Sequence, residues 1–496
     1  MRALRVSELT TEQKLGQLLV CRGVETREEL DTALAMIRDH ALGGVQVRVD
    51  SEAARAIEAI RGAADYPVFI AADMENGYVP GGLTIAGNLA LGAVDDPEAA
   101  YQFARVTALQ AKAAGWSMIW GPVVDMAPVD APCRVCRCPG ADPQKTADIA
   151  CAYMKGFADC GVVGTAKHYP SVTDITIDTH MTEGVSHMTE EELLAGPLYP
   201  YRELIRRLGP DMMGVMTGHV RCVEIDPEYP ATLSPALVGL LRRVGFEGLV
   251  VTDSFAMMGI LQRFGEERAL GLAIAAGNDL VLPNYRTPLR ESYAQLLRCY
   301  ERGMFPRSRL DDAVSHVLKA QERTLLRPAS FEVTEADRHV FSHINCDSLC
   351  AVTEPGLRMA LDPEGDHLFV ILTENSYPEE GQEGQEICST SWWDPERMAR
   401  MLLERFPRSQ TRLICEFPNS RQIEDVCVAA TEHADTVFIT FCDTGAYYGT
   451  DGLTERVRSL IASLGSRVAA VAHTGDPYAM EALPHIPRIL FCYQSP

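Results

Sequence analysis

The chain has 496 residues, 47% of them hydrophobic and 23% charged, and a formal net charge of −23. A single core stops growing at roughly 250 to 300 residues, so two domains are expected; no run approaches the ~18 consecutive apolar residues of a membrane span, so a membrane protein is not. The acidic balance disfavours nucleic acid, whose phosphates bind through clustered Lys and Arg, and suits a neutral or cationic small ligand.

Met1-Arg2-Ala3-Leu4-Arg5 runs straight into a helix-like stretch from Thr10 to Leu19. It has neither the apolar block nor the small-residue cleavage site of a secretory signal, so the expected compartment is the cytoplasm. The 15 cysteines follow no repeating framework, which suits reduced thiols used as small hydrophobes rather than disulfides.

Short apolar runs alternate with amphipathic helical stretches through the first part of the chain. The expected strands are Gly16 to Cys21, Gly44 to Val49, Val68 to Met74, Met118 to Asp125, Val162 to His168, Met213 to His219, Gly248 to Asp253 and Asp279 to Pro283. Eight strands alternating with helices fit a (β/α)8 TIM barrel better than an open doubly wound sheet, and no GxGxxG follows the first strand. Several runs end in polar residues: Asp73 and Glu75, Asp125, Lys167 and His168, Thr217 and His219, Thr252 and Asp253. Strand C-termini form the active-site face of such a barrel, so these groups converge on one pocket, whereas any one of them alone reads equally well as a strand-end residue satisfying loop backbone.

Helical segments from Pro288 to Glu301 and from Ser308 to Leu326 complete the barrel. The expected division is a catalytic barrel over 1–330, a linker at 331–345 and a second α/β domain over 346–496. That second domain has strand-like runs at Leu368 to Leu372, Arg412 to Cys415, Thr436 to Phe441, Val468 to Ala472 and Ile489 to Tyr493, which suggest a largely parallel sheet. Pro378 to Glu386 reads as a solvated loop.

Two stretches carry chemistry. Gly164-Thr165-Ala166-Lys167-His168-Tyr169-Pro170 leads into a polar loop that ends Asp178-Thr179-His180. In Asp-x-His the carboxylate can accept from one imidazole nitrogen and leave the other to exchange a proton, although the same spacing arises often by chance in solvated loops. Gly248-Leu249-Val250-Val251-Thr252-Asp253 is an apolar strand delivering one carboxylate at its end. Asp253 is the natural nucleophile of a retaining glycosidase, and His180 can serve as its acid/base partner.

These residues resemble family 3 glycoside hydrolases, and within them the bacterial β-N-acetylglucosaminidase (β-hexosaminidase) branch. Lys167 to Pro170 resembles the family's Lys-His-(Phe/Tyr)-Pro segment, Asp178-Thr179-His180 its Asp-Ser-His, and Asp253 the carboxylate ending its Val-Val-(Ser/Thr)-Asp strand. Asp73-Met74-Glu75-Asn76-Gly77 is similar to its Asp-x-Glu-Gly-Gly turn, Gly121 to Pro128 to its Pro-Val-x-Asp strand, and Arg137 to its sugar-binding arginine. The resemblance spans roughly residues 8 to 285.

It implies a retaining hydrolase of β-linked N-acetylhexosamine acting through a covalent glycosyl-Asp253 intermediate. His180 and Asp178 would be the acid/base dyad, and Asp73, Arg137, Lys167 and His168 would hold the sugar, with His219 lining the site. The implied partner is a small carbohydrate conjugate, and neither cofactor nor metal is called for. Two other readings use the same residues: a phosphorylase with phosphate as acceptor, and a catalytically impaired sugar-binding protein. The sequence departs from the branch at Ser171-Val172-Thr173, where Gly-His-Gly is usual, restricting the backbone of the loop that positions His180. Asn76 replaces a glycine, and Gly81 stands where another arginine is common. Cys133, Cys136 and Cys138 lack a fourth ligand at diagnostic spacing and read as structural or redox-sensitive thiols rather than a metal site. Trp392-Trp393 reads as packing, with a carbohydrate platform as the alternative.

Overall fold

A computed structural model describes residues 1–22, 24–127, 135–212, 214–326, 331–373, 394–442 and 452–493. Cys133, the Pro378 to Glu386 loop and Trp392-Trp393 lie outside the described residues. The chain divides into two compact units, Met1–Asn345 and Cys346–Pro496.

The first unit is a barrel of eight parallel strands: β1 (Val20–Cys21), β2 (Gly44–Gln46), β3 (Phe69–Ala72), β4 (Met118–Ile119), β5 (Val163–Tyr169), β6 (Gly214–Thr217), β7 (Leu249–Ser254) and β8 (Leu280–Leu282). They pair in chain order, and a parallel bridge from Leu19 to Val281 joins the two ends of the sheet. All eight expected strands are present. The first starts later than expected, because Thr11–Gln17 is a helix whose N-cap Thr10 accepts from Gln13 N–H. Val20, Phe69, Ala71, Met118, Val163, Ala166, Val215, Val251 and Leu280 pack with the covering helices into one core.

Local chemistry sets the helices around it. Pro97–Ala114 starts at Asp96, whose carboxylate accepts from Glu98 N–H, and stops at Gly115, where φ is +112°. Pro143–Asp159 starts the same way on Asp142. Two irregularities matter for the site. Lys167 and Tyr169 of β5 pair with the consecutive residues Met216 and Thr217, so the strand carries an extra residue at His168. Val251 and Ser254 of β7 pair with Leu280 and Leu282, which puts a second slip beside Asp253. Bulges of this kind re-aim the side chains they carry.

The stretch 331–345 contains most of a helix, Glu335–Asp347, tied into the first unit by Arg105 on Asp337 at 2.6 Å and by Phe341 against Phe103. Among its described residues the second unit is an α/β domain with a six-stranded sheet, β9 (Cys350–Thr353), β10 (His367–Thr373), β11 (Gln410–Cys415), β12 (Asp435–Phe441), β13 (Val468–Thr474) and β14 (Arg488–Cys492), in the order β9-β14-β13-β12-β10-β11. Every pairing is parallel except β9 with β14. Helices Pro395–Arg405, Ser420–Glu432 and Glu455–Leu464 cover this sheet over an apolar core that includes Phe369, Ile371, Phe438 and Ile461.

Candidate active site

Asp253 is the penultimate residue of β7, at the C-terminal face of the barrel, with its side chain 19% exposed. Its Oδ1 accepts from the N–H of Ser254 at 2.6 Å, while Oδ2 lies 4.0 Å from His168 Nε2. Burial pushes this carboxyl up, but His168, His219, the Ser254 N–H and His180 together more than offset it and hold it at about 2. Asp253 is therefore ionised at any ordinary pH, as an attacking carboxylate must be.

His168 is oriented from behind by Asp125, which is 2% exposed. Asp125 Oδ2 accepts from His168 Nδ1 at 2.7 Å and from its backbone N–H at 3.1 Å, while Oδ1 accepts from Val172 N–H at 3.2 Å. That bond places a proton on Nδ1 and leaves Nε2 directed at Asp253.

Glu75 is the centre of a second cluster. Arg137 grips it with two donors, Nε to Oε2 at 3.0 Å and Nη2 to Oε1 at 2.7 Å, and Lys167 Nζ reaches Oε1 at 2.6 Å. Lys167 also donates to Asp73 Oδ1 at 3.0 Å; its side chain is only 4% exposed, whereas that of Asp73 is 58% exposed. Burial raises the Glu75 carboxyl, and the two cations outweigh it and hold it far below the usual range. Arg137 and Lys167 are both held above their ordinary values, burial opposing and Glu75 dominating among the charges that oppose it. The result is a preorganised set of donors around an exposed acceptor, Asp73, suited to a polyhydroxylated ring.

In the loop after β5, His180 Nδ1 lies 2.7 Å from Asp178 Oδ1, which also accepts the backbone N–H of His180 at 2.9 Å. Burial lowers the His180 pKa below its ordinary 6.5, against the pull of Asp178 and then Asp253. The turn Ser171-Val172-Thr173 is fastened by its own side chains: Ser171 Oγ meets Thr173 Oγ1 at 2.6 Å, and Thr173 Oγ1 donates to the Met126 carbonyl at 3.0 Å. At Gly81, a Cβ would lie 2.1 Å from Gln110 Nε2, so an arginine there would have to displace Gln110.

The barrel thus brings together Asp73, Arg137, Lys167, His168 and Asp253, with His180 close enough for its charge and that of Asp253 to act on each other. His219 is different. It is 2% exposed, and its ring nitrogens face Thr232 Oγ1 and the Ser254 carbonyl, each at 2.9 Å, so both are engaged by the protein and the ring is tied to the strand that carries Asp253. Thr217 and Thr252 are fully buried in hydrogen bonds to the barrel itself. Glu75 and Asp125 stand in the sequence among the strand-end polar groups but outside the expected site residues; the Asp-x-Glu turn is the available signal for Glu75. Among the described residues, the group with metal-ligand spacing is Asp279, Asp312 and His316. Arg309 bonds both carboxylates of that group and Arg242 donates to Asp279 at 3.2 Å, so guanidinium groups already supply the counter-charge.

The description "Glycosyl hydrolase family 3 N terminal domain" matches residues 10–320. The chain belongs to glycosyl hydrolase family 3. Within this family it is 29% identical over 328 residues to beta-hexosaminidase LpqI of Mycobacterium tuberculosis, covering 62% of this chain and 82% of that protein. The solved family 3 β-N-acetylglucosaminidase from Paenibacillus sp. str. FPU-7 superposes with a TM-score of 0.81 at 24% identity, spanning 98% of this chain and 94% of its own. The beta-glucoside phosphorylase BglX also reaches 0.81, at 21% identity over 99% of this chain and 90% of its own. At these identities the two solved structures establish the fold, a family 3 barrel followed by an α/β domain. The family match and the beta-hexosaminidase relatives establish the family 3 glycosidase expected from the sequence. No helix among the described residues is long and apolar enough to cross a membrane.

Proposed function

We propose that this family 3 enzyme is a retaining β-N-acetylhexosaminidase acting on small β-linked N-acetylhexosamine conjugates. The observation that carries the reading is the pairing of an anchored, ionised Asp253 with a separate imidazole dyad on the neighbouring loop. Asp253 attacks the anomeric carbon while the bond to the leaving oxygen breaks, and that oxygen takes the proton from His180 Nε2. Asp178 keeps Nδ1 protonated and the ring in place. Water then attacks the glycosyl ester, gives its proton to His180, and releases the sugar and the Asp253 carboxylate. Arg137, Lys167, His168 and Asp73 hold the sugar hydroxyls so that the ring meets Asp253 in a reactive orientation. The names of relatives such as beta-hexosaminidase LpqI support N-acetylhexosamine as the sugar.

The test is hydrolysis of aryl β-glycosides carrying N-acetylglucosamine, N-acetylgalactosamine, glucose or xylose, with and without inorganic phosphate. Hydrolysis of the N-acetylated sugars that is lost in Asp253→Ala is the expected result. A sugar 1-phosphate formed only with phosphate present would replace hydrolysis with phosphorolysis, and silence across the panel from a folded protein would refute the assignment.

A further inference from the structure

Ser254, the residue after Asp253, is held from several sides. Its N–H donates to Asp253 Oδ1 at 2.6 Å, and its carbonyl accepts from His219 Nε2 at 2.9 Å. Its hydroxyl oxygen accepts from Ala256 N–H at 3.2 Å and from Arg22 Nη1. Arg22 follows β1 directly and is itself fixed twice: Nε donates to Gln46 Oε1, at the end of β2, at 2.8 Å, and the guanidinium lies 5.3 Å from the ring centroid of Tyr285, just beyond β8. Strands β8, β1 and β2 are neighbours around the barrel. Three adjacent strand ends, with no part in sugar binding or proton transfer above, therefore steady one guanidinium that reaches past β8 to the nucleophile strand.

We infer that Arg22 is a positioning residue for Asp253: through the Ser254 hydroxyl it fixes the peptide whose N–H holds Oδ1, so that Oδ2 is the oxygen presented to the anomeric carbon. The inference rests on Asp253 being the nucleophile. A carboxylate at the rim of a pocket can turn about its last torsion, and the slip in β7 removes the ladder support a regular strand would give it. The bond to Oδ1 suppresses that rotation only while the 254 peptide itself stays still. His219 holds the carbonyl of Ser254, and Arg22 holds its hydroxyl.

The full-length chain carrying Arg22→Met, Arg22→Lys, Ser254→Ala or the pair Arg22→Met/Ser254→Ala is assayed for kcat and KM on an aryl β-N-acetylglucosaminide. Each is also assayed for labelling by a fluorosugar inactivator that leaves a stable glycosyl ester, read by intact mass. Misplacement of a reacting group by about 1 Å costs on the order of 100-fold, so kcat and labelling rate fall together by about 10- to 100-fold in Arg22→Met and Ser254→Ala, with KM little changed. The double variant is no slower than the slower single one, because both remove the same hydrogen bond, and Arg22→Lys recovers part of the rate. Ser254→Ala deletes a single oxygen and decides the matter should Arg22→Met fail to fold. Unchanged kcat and labelling in Ser254→Ala, or losses that simply multiply in the double variant, overturn the inference. Labelling that survives in Asp253→Ala sinks the nucleophile assignment itself; labelling absent in Asp253→Ala but normal in Ser254→Ala removes only the role of Arg22.

Discussion

The backbone N–H of Met258 donates to the carbonyl of His180 at 3.1 Å, tying the loop that carries the imidazole to the turn that follows Asp253. A second tie lies close by in sequence. Glu183 accepts from Arg221 Nε at 3.1 Å and from Arg263 Nη1 at 3.0 Å, and Arg263 belongs to the helix that starts at Met258, Met258–Phe264. The loop that carries His180 is thus docked onto the segment that follows Asp253, which keeps the two side chains in register.

Glu183→Gln tests whether this docking places His180. The substitution preserves shape and removes the charge shared by two arginines. The Glu183 side chain is only 19% exposed and that of Arg221 21%, so the melting temperature should fall by several degrees. Turnover of an alkyl glycoside, whose leaving oxygen needs the proton, should fall several-fold more than that of a nitrophenyl glycoside, which does not. Equal losses on both substrates would show that the loop contributes only stability.

Asp178→Asn makes a prediction with a definite sign. Burial drives the His180 pKa below 6.5, and the Asp178 carboxylate is the main influence pulling it back up. Without that charge the pKa falls further. Because protonating the leaving oxygen requires the charged imidazole, the alkaline limb of kcat/KM should lie below pH 6.5 in the wild type and move to lower pH in Asp178→Asn, with an overall loss on the order of 100-fold or more. A pH profile whose alkaline limb does not move would separate Asp178 from the proton transfer.

Glu75→Gln should be the most costly of these changes for stability. It leaves Arg137 and the buried Lys167 without the carboxylate they share, and breaking a buried pair on one side costs about 3 to 5 kcal/mol. The pH dependence follows from the direction of the Glu75 shift. A carboxyl whose folded value lies far below the usual 4.5 contributes stability that is fully present above pH 4.5 and is lost as pH falls towards the folded value. The gap in unfolding free energy between wild type and Glu75→Gln, followed by denaturant titration, should therefore be widest near neutrality and narrow in acid. A gap independent of pH would mean that the cluster is held by packing rather than charge.

The contrast between Glu75 and His219 shows what the sequence could reveal. Strand number, strand order and the face on which the polar residues gather were legible, because apolar runs ending in Asp, His or Lys report both the period of the strand and its functional end. What each polar residue does there was less legible. His219 and Asp253 sit alike at strand ends in sequence, yet one ring is buried between Thr232 and Ser254 and the other side chain is 19% exposed beside His168. The slip in β7 lies beside Asp253, whereas His219 is enclosed by groups from Thr232 and Ser254, and neither arrangement leaves a local signature in the sequence. The central place of Glu75 was hidden for a related reason: it depends on Arg137 arriving from 62 positions away. In the second domain, the antiparallel edge strand Cys350–Thr353 is apolar in sequence but only four residues long, with two of them exposed, and it lies outside the five expected strands.

At the other end of the barrel, Asp279 opens the last strand fully buried and is surrounded by donors. Val250 N–H reaches Oδ2 at 2.9 Å, Arg242 Nη2 reaches it at 3.2 Å, His316 Nδ1 lies 3.1 Å from it, and Arg309 bonds Oδ1. With Asp312, these residues have the spacing of a metal site, but a divalent cation would have to enter beside two guanidinium groups that repel it. Charge compensation by the two arginines therefore assigns the cluster to holding β7 against β8 at the stable face of the barrel. Zinc, manganese or a chelator should leave both melting temperature and turnover of the wild type unchanged. Arg309→Ala should unfold several degrees lower, since it removes the partner of a buried carboxylate, and it alone could gain a zinc-dependent rise in melting temperature. A metal-dependent rise in the wild-type protein would show instead that the carboxylates form a metal site despite their arginines.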